Sequence, residues 1–255
     1  MNRHKADLRK MAGIIIATAG LVAVWAVASA ALGKPFLPSP AASFAALWRL
    51  AAKGSLGIHA AASASRVVWA LAASFVPAAA LGLAAGRSRR IDLFVSPIVY
   101  ILHPLPKVAF LPIILLVFGL GEASKIILVS LIVFSQILVS ARDSARRVPE
   151  QLIDSVRSLG ASRLDLAIRV VVPSALPDLL TSLRVSLGTA VAVLFLAETF
   201  ATETGLGYMI VDAWARVAYP EMYAAIIALS FLGLGFFIAI DLAERLLCPW
   251  RPNRT

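Results

Sequence analysis

The sequence predicts an all-α protein that crosses a membrane several times, and three observations support this prediction. Hydrophobic residues make up 60% of the 255 residues and charged residues only 15%, whereas a soluble domain carries about 25% charged residues. The mean hydropathy is +0.87. Charged residues also divide the chain into uncharged stretches close to the roughly 20 residues that a helix needs to span a bilayer. This composition excludes an intrinsically disordered chain and disfavours a soluble enzyme.

Six membrane-spanning helices are predicted from these stretches. The first is expected to remain in the protein, because it is too long for the apolar core of a signal peptide. The third combines two shorter apolar stretches that are separated by Lys107. In chain order, the predicted spans are Met11 to Gly33, Val67 to Gly86, a single crossing within residues 91–121, Ile126 to Ala141, about Pro173 to Ala197, and Met222 to Ile240.

The third span is the least regular, because residues 91–121 are too long for one straight span and too short for two. Proline inside a helix removes a backbone hydrogen bond and kinks or ends the helix. The region contains four prolines, Pro97, Pro104, Pro106 and Pro112. We therefore expect residues about 91–104 to form an interfacial or partly inserted helix that leads into one span.

The distribution of basic residues predicts the orientation, since cytoplasmic segments of membrane proteins are enriched in Lys and Arg. With six spans and a cytoplasmic N-terminus, most of the 24 Lys and Arg residues lie in cytoplasmic segments, including the Arg-rich 142–172 loop between spans four and five. Two crossings in the proline-rich region would place that loop outside. Both termini are therefore predicted to be cytoplasmic. The net charge of +10 then reflects topology and contact with anionic lipids rather than nucleic-acid binding.

The 142–172 loop shows the pattern of two helices separated by Gly160. Pro149 suits the first position of a helix. Ser162, followed three residues later by Asp165, forms a capping-box pattern for a second helix, which Pro173 is expected to end. The two helices lie either on the membrane surface or, for one of them, in a groove of a partner protein. Their apolar stripes consist of Val148, Leu152, Val156 and Leu159, and of Leu164, Ile168 and Val171.

Several motifs of this chain, in one order, resemble those of ABC importer permeases. The 142–172 loop is similar to their EAA loop, whose pattern is Glu-Ala-Ala, three residues, Gly, nine residues, Ile, one residue and Leu-Pro. At that spacing stand Asp154-Ser155-Val156, Gly160, Val170 and Val172-Pro173. Further similar strings are Gly86-Arg87-Ser88, Pro106 to Pro112, Phe118 to Lys125, Leu183-Arg184-Val185, Ala197-Glu198 and Gly205 to Tyr208. Together they resemble the nitrate/sulfonate/taurine branch, although Asp-Ser-Val replaces Glu-Ala-Ala.

The resemblance covers about residues 57–245 and implies a single permease domain over residues 1–255, with a five-helix core preceded by the N-terminal span. It places the protein in the cytoplasmic membrane of a bacterium, as a homodimer. The 142–172 loop would carry a coupling helix that docks on a separate ATPase subunit, which binds ATP and Mg²⁺, and an extracytoplasmic substrate-binding protein would deliver the substrate. The residues implied in ATPase coupling are Asp154, Ser155, Val156, Leu159, Gly160, Ala161, Val172 and Pro173.

No catalytic, cofactor or metal site is predicted for this chain itself. A phosphate loop needs Gly-x-x-x-x-Gly-Lys-Ser/Thr, and the single Gly-Lys of the sequence, Gly33-Lys34, is followed by Pro35. The sequence contains neither a zinc-ligand spacing nor a nucleophile elbow. The chain is therefore expected to be a transport subunit rather than an enzyme.

Four residues are candidates for a translocation path, namely Arg184, Lys107, His103 and Glu198. Arg184 lies eleven residues after Pro173, roughly 16 Å along a helix and so near the middle of a bilayer. An arginine there needs a partner, either broken backbone near Pro104 to Lys107 or an anionic substrate. A structural role is therefore the alternative for Arg184, and equally for Lys107.

The resemblance implies a small anion of the sulfonate, taurine or nitrate type as the substrate, and a guanidinium such as that of Arg184 suits an anion. An importer of a vitamin precursor, of pyrimidine or riboflavin type, is the alternative within the same class. An ATP-independent secondary transporter is a further alternative. Such a transporter would show inverted repeats and broken helices in both halves, whereas the prolines predict broken helices only near residues 97–112.

Overall fold

The computed structural model describes residues 2–102, 104–200 and 202–250. Every regular element within these ranges is helical, as the composition predicts. The helices are α1 (Asn2–Leu32), α2 (Pro40–Ala52), α3 (Ser55–Arg87), α4 (Arg89–Leu102), α5 (Leu111–Phe118), α6 (Glu122–Arg147), α7 (Glu150–Ser158), α8 (Arg163–Leu166), α9 (Val172–Glu198), α10 (Leu206–Ala215) and α11 (Tyr219–Leu247). A 3-10 turn (Lys107–Phe110) precedes α5, and a π-helical turn (Ala167–Val171) joins α8 to α9.

Five helices in the described ranges are long and apolar enough to cross a membrane, namely α1, α3, α6, the continuous helix Arg163–Glu198 and α11. A bent pair makes a sixth crossing if it is counted as one span. In this pair, α4 and the segment Lys107–Phe118 meet at 86°, in the proline-rich region where an interfacial helix leading into one span is predicted. The all-helical membrane fold is thus confirmed, and the predicted count of six depends on the bent pair.

Two spans begin earlier than the charge pattern predicts. α3 starts at Ser55 rather than at Val67, and α6 includes Lys125, which the charge pattern places outside the fourth span. The prediction began these two spans directly after a basic residue, which was wrong for Arg66 and Lys125. Both residues are only 1% exposed, because other parts of the protein bind their charged groups. A charge that is bound in this way does not have to lie outside a helix.

The core of the bundle lies between α3, α6 and α9. Two glycines of α3 allow it to approach α6 closely, because a Cβ at Gly82 would lie 2.5 Å from the Cβ of Ala141. A Cβ at Gly86 would lie 2.4 Å from the carbonyl oxygen of Arg142. Small residues four positions apart are a common basis of close helix packing in membranes. The buried aliphatic side chains of this core include Val67, Leu128, Val133, Ile137, Leu187 and Leu194.

α1 lies at the edge of this core. No residue of its apolar segment Ile15–Leu32 is buried. Its attachment is polar and aromatic: Trp25 donates from Nε1 to the carbonyl oxygen of Pro38 at 3.0 Å, and its ring stacks on Tyr223 with 5.5 Å between the ring centres. The N-terminal span is therefore an addition to the helices that form the core.

The 142–172 loop contains the two helices that the sequence predicts around Gly160. Gly160 has a φ of +83°, and Ser162 and Asp165 form the predicted capping box. The prediction that Pro173 ends the second helix was wrong. Pro173 lies in the first turn of α9, and the π-helical turn Ala167–Val171 directly before it keeps the chain helical from α8 through α9.

Candidate functional site

The 142–172 loop presents on its surface part of the set that the sequence predicts for ATPase coupling, including Asp154, Ser155, Leu159 and Gly160. Asp154 forms an ion pair with Arg157 at 3.0 Å, and both side chains are more than half exposed. Ser155 donates from its hydroxyl to a backbone carbonyl of α7. A Cβ at Gly160 would meet nothing within 4 Å. Glycine is thus needed there for the positive φ rather than for space within the chain.

The predicted apolar stripes are only partly right, because most of their residues are exposed and three of the four residues in the buried cluster of the loop lie outside them. A small buried cluster consists of Val148, Ile153, Leu166 and Val170, with Val156 and Ala161 packed against it. In contrast, Leu159 is 85% exposed, Leu164 68% and Ile168 58%. These three side chains lie on either side of Gly160 in the sequence. An exposed apolar surface of this kind is typical of a site that contacts a protein or a membrane.

Ion pairs connect the 142–172 loop to the ends of the core helices. Arg87, at the end of α3, pairs with Glu150 of α7 at 2.9 Å. Arg147, at the end of α6, pairs with Asp178 of α9 at 3.0 Å. Each pair is partly exposed and contributes little stability alone, but together they fix where the loop meets the bundle. The remaining predicted coupling residues, Val172 and Pro173, form the first turn of α9.

A charge cluster that is buried except at Glu122, and that we call the Arg66 cluster, lies at the opposite end of the bundle. Its members are Ser63 and Arg66 of α3, Glu122 and Lys125 of α6, Glu198 at the end of α9, and Thr204 before α10. The side chains of Arg66 and Glu198 are 1% and 0% exposed. Two basic and two acidic residues leave the cluster with no formal net charge. This balance offsets the large cost of removing charges from water.

Arg66 binds two carboxylates at the same time. Its Nε and Nη2 donate to the two carboxylate oxygens of Glu122 at 2.5 and 2.6 Å, which is the strong bidentate geometry. Its Nη1 donates to Oε1 of Glu198 at 2.5 Å. Both terminal nitrogens also reach Thr204, at 2.9 Å from the carbonyl oxygen and 2.8 Å from the hydroxyl. One guanidinium therefore connects α6, α9 and the segment before α10.

Glu198 in turn holds the start of α10. Its Oε2 accepts from the N–H group of Gly207 at 2.8 Å. The hydroxyl of Ser63 lies 2.8 and 2.9 Å from the carboxylate oxygens of Glu198 and accepts from the N–H group of Leu206. The first N–H groups of a helix have no helical partner, so a carboxylate there is favourable. A Cβ at Gly205 would lie 2.4 Å from Cδ of Glu198, which only glycine avoids.

Lys125 holds the turn between α5 and α6. Its Nζ donates to the carbonyl oxygens of Leu120 and Gly121 at 2.8 and 3.2 Å. These carbonyl groups belong to a turn outside the helices. The buried ammonium group donates the hydrogen bonds that they accept. The lysine is therefore satisfied by backbone that it also fixes in place.

Arg184 is bound by two carboxylates of α11, rather than by the backbone near Pro104 that the sequence offers as a partner. Its Nη2 donates to Glu244 and lies 3.2 Å from Oδ1 of Asp241. The guanidinium also stands over the ring of Phe237, 5.3 Å from the ring centre. Arg184 lines a largely apolar groove of about 630 Å³ between α9 and α11.

The candidates for a translocation path are not brought into one site. Glu198 belongs to the Arg66 cluster, roughly 21 Å from Arg184 along α9. Lys107 is half-buried in the 3-10 turn that follows the bend. His103 lies outside the described residues. Arg184 and Glu198 therefore belong to separate networks, and Lys107 lies on a different element from both.

The Arg66 cluster is not predicted from the sequence, although a signal is present in it. Arg66 precedes the second predicted span, Glu122 and Lys125 precede the fourth, and Glu198 follows the fifth. In the predicted topology these positions lie on the same side of the membrane, so two positive and two negative charges can balance at one depth. Residue spacing does not reveal the pairing, because Arg66 lies 56 positions from Glu122 and 132 positions from Glu198.

Comparison with known proteins identifies relatives of this chain. The family model described as "Binding-protein-dependent transport system inner membrane component" matches residues 78–251. The chain is 34% identical to the taurine transport system permease protein TauC of Escherichia coli (strain K12), over 89% of this chain and 84% of that protein. It is 33% identical to the putative aliphatic sulfonates transport permease protein SsuC of the same organism, over 91% and 89%.

Two further comparisons agree with these. The chain is 30% identical to the formylaminopyrimidine transport permease protein ThiX of Halalkalibacterium halodurans, over 92% of this chain and 94% of that protein. The fold is similar to a solved structure of the MetNI methionine ABC transporter in inward-facing conformations, with a TM-score of 0.60, 21% identity, and coverage of 73% of this chain and 91% of that chain. This chain therefore belongs to the binding-protein-dependent transport system inner membrane components, as an ABC transporter permease of the taurine, sulfonate and nitrate branch.

Proposed function

We propose that this chain transports a small sulfonate as a homodimer, together with separate ATPase subunits and an extracytoplasmic substrate-binding protein. The observation that carries the proposal is the exposed apolar surface of the 142–172 loop, formed by Leu159, Leu164 and Ile168. An apolar helical face of this kind fits a groove on a partner protein. The relatives named for taurine and aliphatic sulfonates support the substrate class.

In this proposal the 142–172 loop and both termini face the cytoplasm, and ATP and Mg²⁺ bind to the ATPase subunits rather than to this chain. Closure of the ATPase pair moves the loop. The ion pairs of Arg87 with Glu150 and of Arg147 with Asp178 carry that movement to α3, α6 and α9. These core helices then alternate between inward-open and outward-open arrangements.

The binding protein, rather than Arg184, selects the substrate in this proposal. Asp241 and Glu244 neutralise Arg184, so the groove beside it has no excess positive charge with which to attract an anion. We therefore assign Arg184 a structural role that connects α9 to α11. Lys107, at the bend between α4 and α5, stays a candidate for the translocation path.

A vitamin-precursor importer is the second candidate function. The relative named for formylaminopyrimidine transport, which is 30% identical over nearly the whole chain, favours it. The coupling mechanism would be the same, and the binding protein would carry a pyrimidine instead of a sulfonate.

Uptake of radiolabelled taurine by the native host distinguishes these two substrates. Deletion of the chain is expected to abolish high-affinity taurine uptake, and a plasmid copy is expected to restore it. Excess unlabelled ethanesulfonate should compete, whereas excess formylaminopyrimidine should not. Undiminished taurine uptake in the deletion strain would contradict the sulfonate proposal, and uptake of the pyrimidine that is lost on deletion would favour the second candidate.

Gly160→Asp is expected to abolish ATP-dependent uptake while leaving membrane insertion intact. Aspartate is strained at a φ of +83°, and its charge would stand at the turn between the two helices of the docking surface. Uptake is measured relative to the amount of chain in the membrane. Gly54→Asp is the matched control, because Gly54 has a φ of +77° and equally open surroundings. Gly54 lies just before α3, at the end of that helix that is far from the 142–172 loop. Normal uptake by Gly160→Asp, or an equal loss in the control, would contradict the coupling role of the loop.

A further inference from the structure

We infer that Arg66 is the positioning residue of a latch at the end of the bundle opposite to the 142–172 loop. Its contact with Glu122 opens and closes during transport, while its contact with Glu198 is permanent. This inference rests on the proposed function and assigns a moving part to it. It follows from an asymmetry between the two carboxylates that Arg66 binds.

The Glu198 half of the Arg66 cluster is built as a fixed unit. The Glu198 side chain is fully buried and accepts hydrogen bonds from Arg66, from Ser63 and from the N–H group of Gly207. If Glu198 moved away, the hydroxyl of Ser63 and the N–H group of Gly207 would lose their acceptor, which is unfavourable away from water. The start of α10 has no room to shift either, because even a Cβ at Gly205 would overlap the carboxyl group of Glu198.

The Glu122 half is different, because the Glu122 side chain is 58% exposed although it is bound by two nitrogens of Arg66. After release, water can solvate the Glu122 carboxylate immediately. Arg66 would keep Glu198 and both oxygens of Thr204. Only Nε of Arg66, which donates to Glu122 alone, would lose its acceptor. Opening this contact leaves Arg66 paired with Glu198 and the Glu122 carboxylate in water, whereas opening the contact with Glu198 would take the guanidinium away from a fully buried carboxylate.

The part that can move with Glu122 is the turn between α5 and α6. A Cβ at Gly119 or at Gly121 would meet nothing within 4 Å, so this turn is not crowded by neighbouring atoms. Lys125 binds the carbonyl groups of the turn and would move with it. At the other end of α6, the close contacts of Gly82 and Gly86 hold it against α3. Opening at Arg66 is thus a local movement of this turn and the first turn of α6, because Leu128 and Val129, which follow, are fully buried in the core.

The latch is tested on the complete complex, that is, this chain with its ATPase and binding protein in proteoliposomes, by the amount of taurine moved per ATP hydrolysed. For Glu122→Gln we expect this ratio to fall at least threefold, because a latch without its charge opens independently of ATP hydrolysis. Glu122→Asp keeps the charge and should recover most of the ratio. Glu203→Gln is the matched control, since Glu203 is an exposed acid near Thr204 that forms no ion pair with any described residue.

Each other outcome overturns the latch. If the contact of Arg66 with Glu122 were permanent, Glu122→Gln would change the amount of assembled complex but not its coupling. An unchanged ratio in Glu122→Gln, or an equal fall in Glu203→Gln, therefore refutes the latch. A Glu122→Gln chain that does not assemble would show that the contact is part of the fold and never opens. A wild-type complex that neither hydrolyses ATP nor moves taurine would refute the proposed function, and the latch with it.

Discussion

Glu198→Ala is expected to lower the free energy of unfolding by about 3–5 kcal/mol, the usual effect of removing one partner from a buried ion pair. The substitution leaves Ser63 and the N–H group of Gly207 without their acceptor. It also removes one of the two carboxylates that neutralise Arg66. The thermal unfolding midpoint in a mild detergent and the yield of monodisperse protein measure the effect.

Three further variants separate charge from packing at this position. Glu203→Ala removes an exposed acid from the same region and should leave the unfolding midpoint unchanged. Glu198→Gln keeps the size of the side chain and one acceptor, so its loss should be intermediate. The double variant Arg66→Met with Glu198→Leu should be more stable than Glu198→Ala, because the buried guanidinium is removed together with its carboxylate partner. If Glu198→Ala unfolds at the same temperature as Glu203→Ala, the Arg66 cluster does not stabilise the fold.

The double variant Gly82→Ala with Gly86→Ala is expected to separate α3 from α6 and to destabilise the bundle by about 1–3 kcal/mol per site. The new methyl groups would lie 2.5 Å from the Cβ of Ala141 and 2.4 Å from the carbonyl oxygen of Arg142. Neither neighbour is a flexible side chain that can move aside. The unfolding midpoint should fall, and ATP-dependent uptake should fall with the amount of folded protein.

Gly20→Ala is the control for this pair. Gly20 lies in the middle of α1, and a Cβ there would meet nothing within 4 Å. Alanine in the middle of a helix is favoured over glycine by roughly 0.5–1 kcal/mol, so this variant should be as stable as the wild type or slightly more stable. A double variant in α3 that matches Gly20→Ala would show that α3 and α6 do not depend on close backbone approach.

The membrane fold follows from the sequence because hydropathy is a property of single segments. Long apolar helices satisfy their own backbone in lipid, so their existence does not depend on neighbours. The turn at Gly160 and the capping box of Ser162 and Asp165 are equally local, and the structure contains both. The continuation of the helix through Pro173 was missed because a proline that ends a helix and a proline that a continuous helix accommodates look the same in sequence.

The Arg66 cluster shows which part could not be predicted. Arg66 and Lys125 look like span boundaries, since a charge in a bilayer is costly unless it has a partner. Their partners come from other helices, or from backbone at a turn, and only the folded structure shows them. The same reason applies to Arg184, whose carboxylates lie on α11. Pairing across the fold, rather than local pattern, therefore determines the roles of the charged residues.

Purification of the full-length chain from its native membrane in a mild detergent tests most directly whether a separate ATPase drives it through the 142–172 loop. The expected result is a stoichiometric partner that carries a phosphate loop, ATP turnover by the purified complex, and loss of both in the Gly160→Asp variant but not in Gly54→Asp. A stable chain that purifies alone from every mild detergent, without ATP turnover and with taurine uptake that persists when ATP is depleted, would contradict it.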